Sequence, residues 1–217
     1  MKRSLKKQKG NGRLITFEGG EGAGKTTLID RIYASLTKKG CATIKTREPG
    51  GTPLGKEIRT LLLHGQAEAI CPRAELFLFL ADRAHHVKEV ILPALEEGKI
   101  VLCDRFNDST LAYQGAARHL DTTLLHSLCF AATEGLSPDL TLYLDLDPKI
   151  GLERAKNHDV PDRLEKENLT FHEEVRAGFL SLAQKEPDRF HVIDAEQPVD
   201  AVYKQAMTQI EALLCPK

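Results

Sequence analysis

The chain has 217 residues, 41% of them hydrophobic and 28% charged, with 30 Lys plus Arg against 31 Asp plus Glu for a formal charge of −1. That length suits one domain with its own core, and that composition excludes wholesale disorder. A near-neutral total argues against a general nucleic-acid binder, and the longest obvious apolar run, Leu76 to Ala81, has six residues where a membrane span needs roughly 20.

Residues 1–13 carry six basic groups (Lys2, Arg3, Lys6, Lys7, Lys9, Arg13) and no acid, which leaves 24 basic against 31 acidic, a net −7, over residues 14–217. We expect a disordered basic tail here, since chain ends are commonly loose. A basic run is also the form of an RNA or membrane contact, but no apolar segment follows it as a secretory signal would require. Leu14–Glu18 is an apolar run ended by glycines and is predicted as a buried strand. Lys25–Lys39 places Leu28, Ile29, Ile32 and Leu36 at helical spacing, and Gly40 stops it. Ala42–Thr46 is a second strand, and Leu54–Leu63 has helical spacing. Pro72 suits the first turn of a long helix to about Glu97, bent near Pro93. Lys99–Cys103 is a third strand, followed by a short helix near Ser109–Gln114 and another from Asp121 to Glu134. Leu140–Asp145 is a fourth strand, and Asp147-Pro148 supplies an N-cap and an N1 proline for a helix to about Lys156. Lys156–Asn168 is polar, contains a proline and interrupts two helices, as a surface flap does. Phe190–Asp194 is a fifth strand and Pro198–Leu214 a last amphipathic helix.

Five β-rich apolar runs alternating with helices predict an α/β fold, a parallel sheet covered on both faces, over residues 14–217 as one domain. The five cysteines (Cys41, Cys71, Cys103, Cys129, Cys215) form no C-x-x-C pair, so zinc and dithiol readings are weak, and buried reduced thiols in a cytosolic protein are expected.

Gly19-Gly20-Glu21-Gly22-Ala23-Gly24-Lys25-Thr26 fits G-x-x-x-x-G-K-[ST] between a strand and a helix start, where a phosphate-binding loop belongs. Its glycines let backbone N–H groups turn inward, and the next helix adds its free N–H groups and positive dipole end. Lys25 is expected to reach the β/γ-phosphates and Thr26 to offer its hydroxyl to Mg²⁺. Asp104 ends an apolar strand, the place for a carboxylate that holds Mg²⁺ through water. Asp147 is explained instead as an N-cap. The guanine-binding string N-K-x-D is absent, which leaves kinase, ATPase or nucleotide-gated module.

An ATPase positions only water, yet Arg47 and Arg105 both follow strands, at the sheet edge where α/β folds bind ligands. Guanidinium groups there suit an acceptor phosphate and the transferring group. Phe79 and Arg83, four apart on one helix face, are either a core pair or a stacking ring beside base-edge donors.

In family terms the chain from about Leu14 to the last helix resembles thymidylate kinase (dTMP kinase) of the bacterial type. The likeness rests on the P-loop with Glu18 and Thr27, then Thr46-Arg47-Glu48-Pro49-Gly50-Gly51-Thr52, Ala81-Asp82-Arg83-Ala84-His85 and Asp104-Arg105-Phe106. Asp108-Ser109-Thr110-Leu111-Ala112-Tyr113-Gln114-Gly115, Pro138 to Asp145 and Asp162-Arg163 follow in the family's order. The resemblance implies a P-loop nucleoside-monophosphate-kinase-like fold of three layers with a five-stranded parallel sheet. It implies transfer of the ATP γ-phosphoryl group to dTMP, giving dTDP and ADP for dTTP synthesis, with Mg²⁺, by a cytoplasmic homodimer.

By the same resemblance Gly19 to Thr27 hold ATP, Arg47 and Arg105 hold the dTMP phosphate, and Phe79 stacks on thymine while Arg83 pairs with its edge. Ser109 and Gln114 line the base and sugar pocket, and Glu21 meets the sugar 3′-hydroxyl. A lid at about residues 155–168 supplies cations. Arg154, Lys156 and Arg163 are available, and His158 stands where a further arginine is expected. Lys25, Arg105, Arg154 and Arg163 are the expected catalytic cations. Two other readings stand beside this one: a phosphotransferase for another mononucleotide or nucleoside, and an ATP-gated binding module that hydrolyses ATP without a phosphorylated product.

Overall fold

The central strands are apolar along most of their length and need cover on both faces, and a computed structural model, describing residues 12–64, 70–156 and 162–214, supplies it. β1 (Arg13–Gly19) lies at the centre of a five-stranded sheet between β3 (Ile100–Asp104) and β4 (Leu140–Asp145), with β2 (Thr43–Arg47) outside β3 and β5 (Phe190–Asp194) outside β4. Every pairing is parallel. β1 begins at Arg13, a residue counted above with the tail. In register, Asp104 lies beside both Phe17 and Arg47, so β2 and β3 end at one edge, where β1 runs two residues further into Gly19. The chain leaves β1 toward either side, which opens a crevice at that edge where α/β sheets take ligands.

Alternation decides which layer each strand residue meets. Ile15, Phe17, Leu102, Leu142 and Leu144 pack against α1 (Lys25–Lys38) and α9 (Val199–Leu214). Helix α1 contributes Leu28, Ile29, Ile32 and Leu36, each at most 5% exposed, and each such burial stabilises by roughly 1.5–3 kcal/mol. On the other face, Leu14, Val101 and Cys103 meet Val87, Ile91 and Leu95, while Tyr143 and Phe190 meet Val175, Phe179 and Leu182 of α8 (Leu169–Lys185). Helix α8 is the second of the two helices that the polar flap separates.

Helix starts follow local chemistry. Thr52 Oγ1 accepts from Gly55 N at 2.9 Å and, with Pro53, opens α2 (Pro53–Arg59). The Asp121 carboxylate accepts from Leu124 N at 2.7 Å before α6 (Thr122–Ala132), and Asn168 accepts from Phe171 N at 2.9 Å before α8. Asp147 takes the N–H of Lys149 at 2.8 Å before α7 (Pro148–Lys156), as expected.

Three helices differ in winding from the 3.6 period. Helix α2 runs into a π turn, Thr60–His64, and α5 (Asn107–Thr110) into another, Leu111–Ala117, so the helix expected near Ser109–Gln114 is longer than predicted. The long helix is α3 (Pro72–His86), a π turn Val87–Ile91, and α4 (Leu92–Glu96). A proline donates no N–H and its ring crowds the carbonyl one turn back, so the wider turn falls just before Pro93. Cys103 and Cys129 are buried, but Cys71 is exposed at the start of α3, against the expectation for the thiols. No helix among the described residues is long and apolar enough to cross a membrane. The flap residue His158 and the side chain of Lys156 lie outside the described residues.

Candidate active site

A cleft of about 710 Å³ opens at the carboxyl edge of β1, β2 and β3. One wall is the glycine loop after β1. Gly22 and Gly24 have φ of 66° and 86°, left-handed values that a glycine adopts without strain. A Cβ on Gly22 would strike the Gly151 carbonyl, and one on Gly151 would strike the Glu21 carbonyl, so two glycines let α7 abut the loop backbone to backbone. That contact brings exposed Arg154 to the cleft, with its Nη1 3.4 Å from the Ala195 carbonyl. Lys25 folds over the loop and donates to the carbonyls of Gly19 (3.0 Å) and Gly20 (2.9 Å). Burial lowers the pKa of its ammonium, and Arg105 adds to the shift.

The opposite wall carries guanidinium groups. Arg105 follows Asp104 with φ of 70°, a left-handed conformation that costs a non-glycine residue about 1 kcal/mol or more and is found at functional sites. Its N–H donates to the Phe17 carbonyl at 3.0 Å, and its Nη2 donates to Glu21 Oε1 at 2.7 Å, with the Tyr113 hydroxyl donating to the same oxygen at 3.1 Å. Burial alone would raise the Glu21 carboxyl, but Arg105 and Lys25 outweigh it and hold the group below the usual carboxylate range. Arg47 ends β2 exposed in the cleft, and among the described residues its side chain makes no hydrogen bond or ion pair. Arg59 of α2, unassigned by the sequence, also lines the cleft and donates to the Pro49 carbonyl at 3.1 Å. Burial lowers its pKa, and the neighbouring charges of Arg47 and Arg105 push the same way. Three guanidiniums near enough to oppose one another make a site for an anion.

Thr26 and Asp104 both line the cleft. Asp104 Oδ1 is buried without a hydrogen-bond partner among the described residues. A threonine hydroxyl and a carboxylate with an uncommitted oxygen are hard oxygen donors, and they fit Mg²⁺.

The remaining predicted residues divide. Phe79, Ser109 and Gln114 line the cleft. Ser109 Oγ donates to Glu18 Oε2 at 2.6 Å, and Phe106 N donates to Glu18 Oε1 at 2.8 Å. Burial, with nearby Asp108, pushes the Glu18 carboxyl up to about 8. Arg83 borders the cleft at 2% exposure, but its donors are largely committed: Nε to Glu48 (2.7 Å), Nη1 to Thr110 (2.6 Å) and Nη2 to the Phe106 carbonyl (3.0 Å). Arg163 is not among the cleft residues. It turns inward to the Leu62 carbonyl (2.8 Å) and to Glu75. Sequence reasoning missed Arg59, Tyr113 and Glu75. Tyr113 sits inside the quoted D-S-T-x-A-Y-Q-G string, whereas Arg59 and Glu75 look like ordinary helix charges until the chain is folded.

Helix α3 organises both the loop and the far end of the cleft. Glu75, Phe79, Asp82, Arg83 and His86 fall at spacings of three or four, on one face. Glu48 takes Arg83 Nε and, at 2.8 Å, His86 Nδ1, while His86 Nε2 lies 2.6 Å from the Thr46 hydroxyl. Asp82 Oδ1 accepts from Gly50 N at 3.0 Å. The loop after Arg47 is thus pinned to α3 from beneath.

Burial, with Glu48 nearby, raises the Asp82 carboxyl from 3.8 to about 6. A raised acid takes up a proton on folding, so its favourable share is complete below about pH 3.8 and is lost as pH climbs to 6. Asp82→Asn should therefore flatten the stability profile over that window and stabilise the protein at pH 7 by roughly 1–2 kcal/mol. Denaturant melts at pH 4 and pH 7 test this, and a variant weaker at both pH values would contradict it.

Comparison with known proteins fits this geometry. A family model described as thymidylate kinase matches residues 17–206. The thymidylate kinase of Desulfovibrio desulfuricans is 55% identical over 207 residues, covering 92% of this chain and 95% of that protein. That of Deinococcus radiodurans is 54% identical over 189 residues, covering 87% and 91%. Among solved structures, a thymidylate kinase from Ehrlichia chaffeensis superposes with a TM-score of 0.77 at 32% identity, over 92% of this chain and 98% of that one.

Proposed function

Because the chain belongs to the thymidylate kinase family, we propose that it moves the γ-phosphoryl group of ATP onto dTMP, giving dTDP and ADP for dTTP synthesis. The observation that carries this reading is one cleft in which the glycine loop and Lys25 face Arg47, Arg59 and Arg105. Two anions must approach end to end, and cations on both walls offset their repulsion.

ATP lies along Gly19 to Thr27, with Lys25 on its terminal phosphates. Arg47 and Arg105 grip the acceptor phosphate and Arg59 stands behind them. Phe79, Ser109 and Gln114 take the base and sugar, and Glu21, held ionised by Arg105, accepts from the sugar 3′-hydroxyl. The acceptor is itself a phosphate, so no strong general base is needed. Arg154 adds positive charge beside the loop. Arg163 acts through Glu75 rather than on the phosphate. Thr26 and Asp104 would hold Mg²⁺, which would supply positive charge to offset that on the phosphoryl oxygens.

The four described cysteines are free, which suits a reducing cytoplasm. A homodimer is supported by Phe77 of α3 and Leu124 and Phe130 of α6, apolar side chains 53%, 47% and 61% exposed on helices that pack together. Light scattering at the monomer mass of 24.1 kDa would remove the dimer.

A coupled ADP-release assay over the nucleoside monophosphates tests the reaction. The expected result is ATP- and Mg²⁺-dependent turnover with dTMP far above the others. A preference for dGMP, dAMP or CMP would defeat the thymine assignment, and ADP release without a phosphorylated product would make the chain an ATP-gated module.

A further inference from the structure

Glu75 is fully buried on the first turn of α3. Its carboxylate accepts from Gln114 Nε2 at 2.8 Å, from Arg118 Nε and Nη2 at 3.4 and 3.3 Å, and from Arg163 Nη2. The two guanidiniums offset a negative charge that would otherwise be costly to bury. Gln114 needs a separate account, because it is neutral and its amide has two chemically different ends.

A carboxylate only accepts, so Gln114 must turn its NH₂ to Glu75 and its Oε1 away. Gln114 lines the cleft, and so does Phe79, one helical turn along from Glu75. No hydrogen bond among the described residues uses the Gln114 Oε1. We propose that Glu75 is a positioning residue for acceptor-base selection: it locks the Gln114 amide so that the cleft meets its oxygen.

This rests on the reading that the cleft takes a nucleoside monophosphate. Thymine presents an imide N3–H between two carbonyls, which an amide oxygen accepts. Cytosine presents a bare N3, which that oxygen repels. The two ends of an amide have nearly the same shape, so without Glu75 the group turns over at little cost and the distinction fades. A site with a fixed hydrogen-bonding sense rejects a mismatched base more strongly than one that adapts.

The test is steady-state kinetics of the full chain with dTMP and dCMP, wild type against Glu75→Gln, with melting temperatures alongside. The near-isosteric glutamine donates as readily as it accepts. The expected result is a dTMP KM raised about 5- to 10-fold, the size of one hydrogen bond, with kcat within about twofold. The KM for ATP is unchanged and the dTMP-over-dCMP preference narrows by at least the same factor. An unchanged preference, even with lowered stability, overturns the proposal and leaves Glu75 a strut between α3, Arg118 and Arg163. If Glu75→Gln fails to fold, Glu75→Asp draws the acceptor back from Gln114, and an unchanged preference there is equally fatal. In a Gln114→Leu background Glu75→Gln must cost no further selectivity, and a further loss would show that Glu75 does not act through Gln114. A wild type that does not prefer dTMP takes down the proposed function and this inference together, whereas a selective wild type with an equally selective variant takes down this inference alone.

Discussion

Lys25→Ala should lower turnover by about three orders of magnitude or more while leaving the fold intact. Phosphoryl transfer is catalysed mainly by placing positive charge at the developing charge of the transition state, and a single cation so placed is worth about 10³-fold or more. Lys25 sits where that charge is needed, 9% exposed, with its ammonium on the carbonyls of Gly19 and Gly20. Among the described residues its hydrogen bonds are those two to the loop carbonyls, so removal should cost little stability. Glu21 keeps Arg105 as its partner. Turnover within about tenfold of wild type, in a variant that melts normally, would remove Lys25 from the chemistry.

Glu48→Ala should be the most destabilising single truncation near the site, by about 3–5 kcal/mol. Arg83 and Glu48 are each 2% exposed, and removing the carboxylate leaves a guanidinium buried without its counter-charge. His86 Nδ1 loses its acceptor in the same step. For a chain of this size that amounts to a melting temperature lower by about 10–15 °C. A loss under about 1 kcal/mol would mean that water or another acceptor takes over the Arg83 Nε–H. Because Glu48 immediately follows Arg47, surviving folded protein should also bind dTMP more weakly, whereas ATP binding should change little.

Much of this molecule is legible from residues close together in sequence. Four of the five strands announce themselves as apolar runs, whereas edge strand β2 has only Ile44, and the glycine loop needs only its spacing and its place between β1 and α1. Arg47 and Arg105 were visible because strand ends in an α/β sheet converge, a rule of topology rather than of side chains. The hidden features are pairings across long stretches of chain. Spacing leaves Phe79 and Arg83 open between a core pair and a base-edge pair, and only the fold shows Glu48, 35 residues away, taking the Arg83 Nε. Arg163 was read as a lid cation, yet Glu75, 88 residues away, draws it inward. Neither partner leaves a trace in local periodicity, since a charge on an amphipathic helix looks the same whether it meets water or a buried partner. The π turns escaped for a related reason, because apolar spacing reports the buried face and not which carbonyl each N–H chooses. The roles of Ser109, Gln114 and Glu21 came from family resemblance alone.

The shared face of α3 has a consequence for how substrate size is gauged. In the proposed reading Glu75 stands at the base end, while Asp82 and His86 anchor the loop that carries Arg47. At 1.5 Å per residue Asp82 lies about 10 Å and His86 about 16 Å from Glu75 along one rigid rod. A helix cannot be stretched by a side-chain change, so the rod works as a caliper whose jaws have a fixed gap. Adapting such an enzyme to a longer acceptor means trimming the jaws at Phe79 or Gln114, because the span itself is not adjustable.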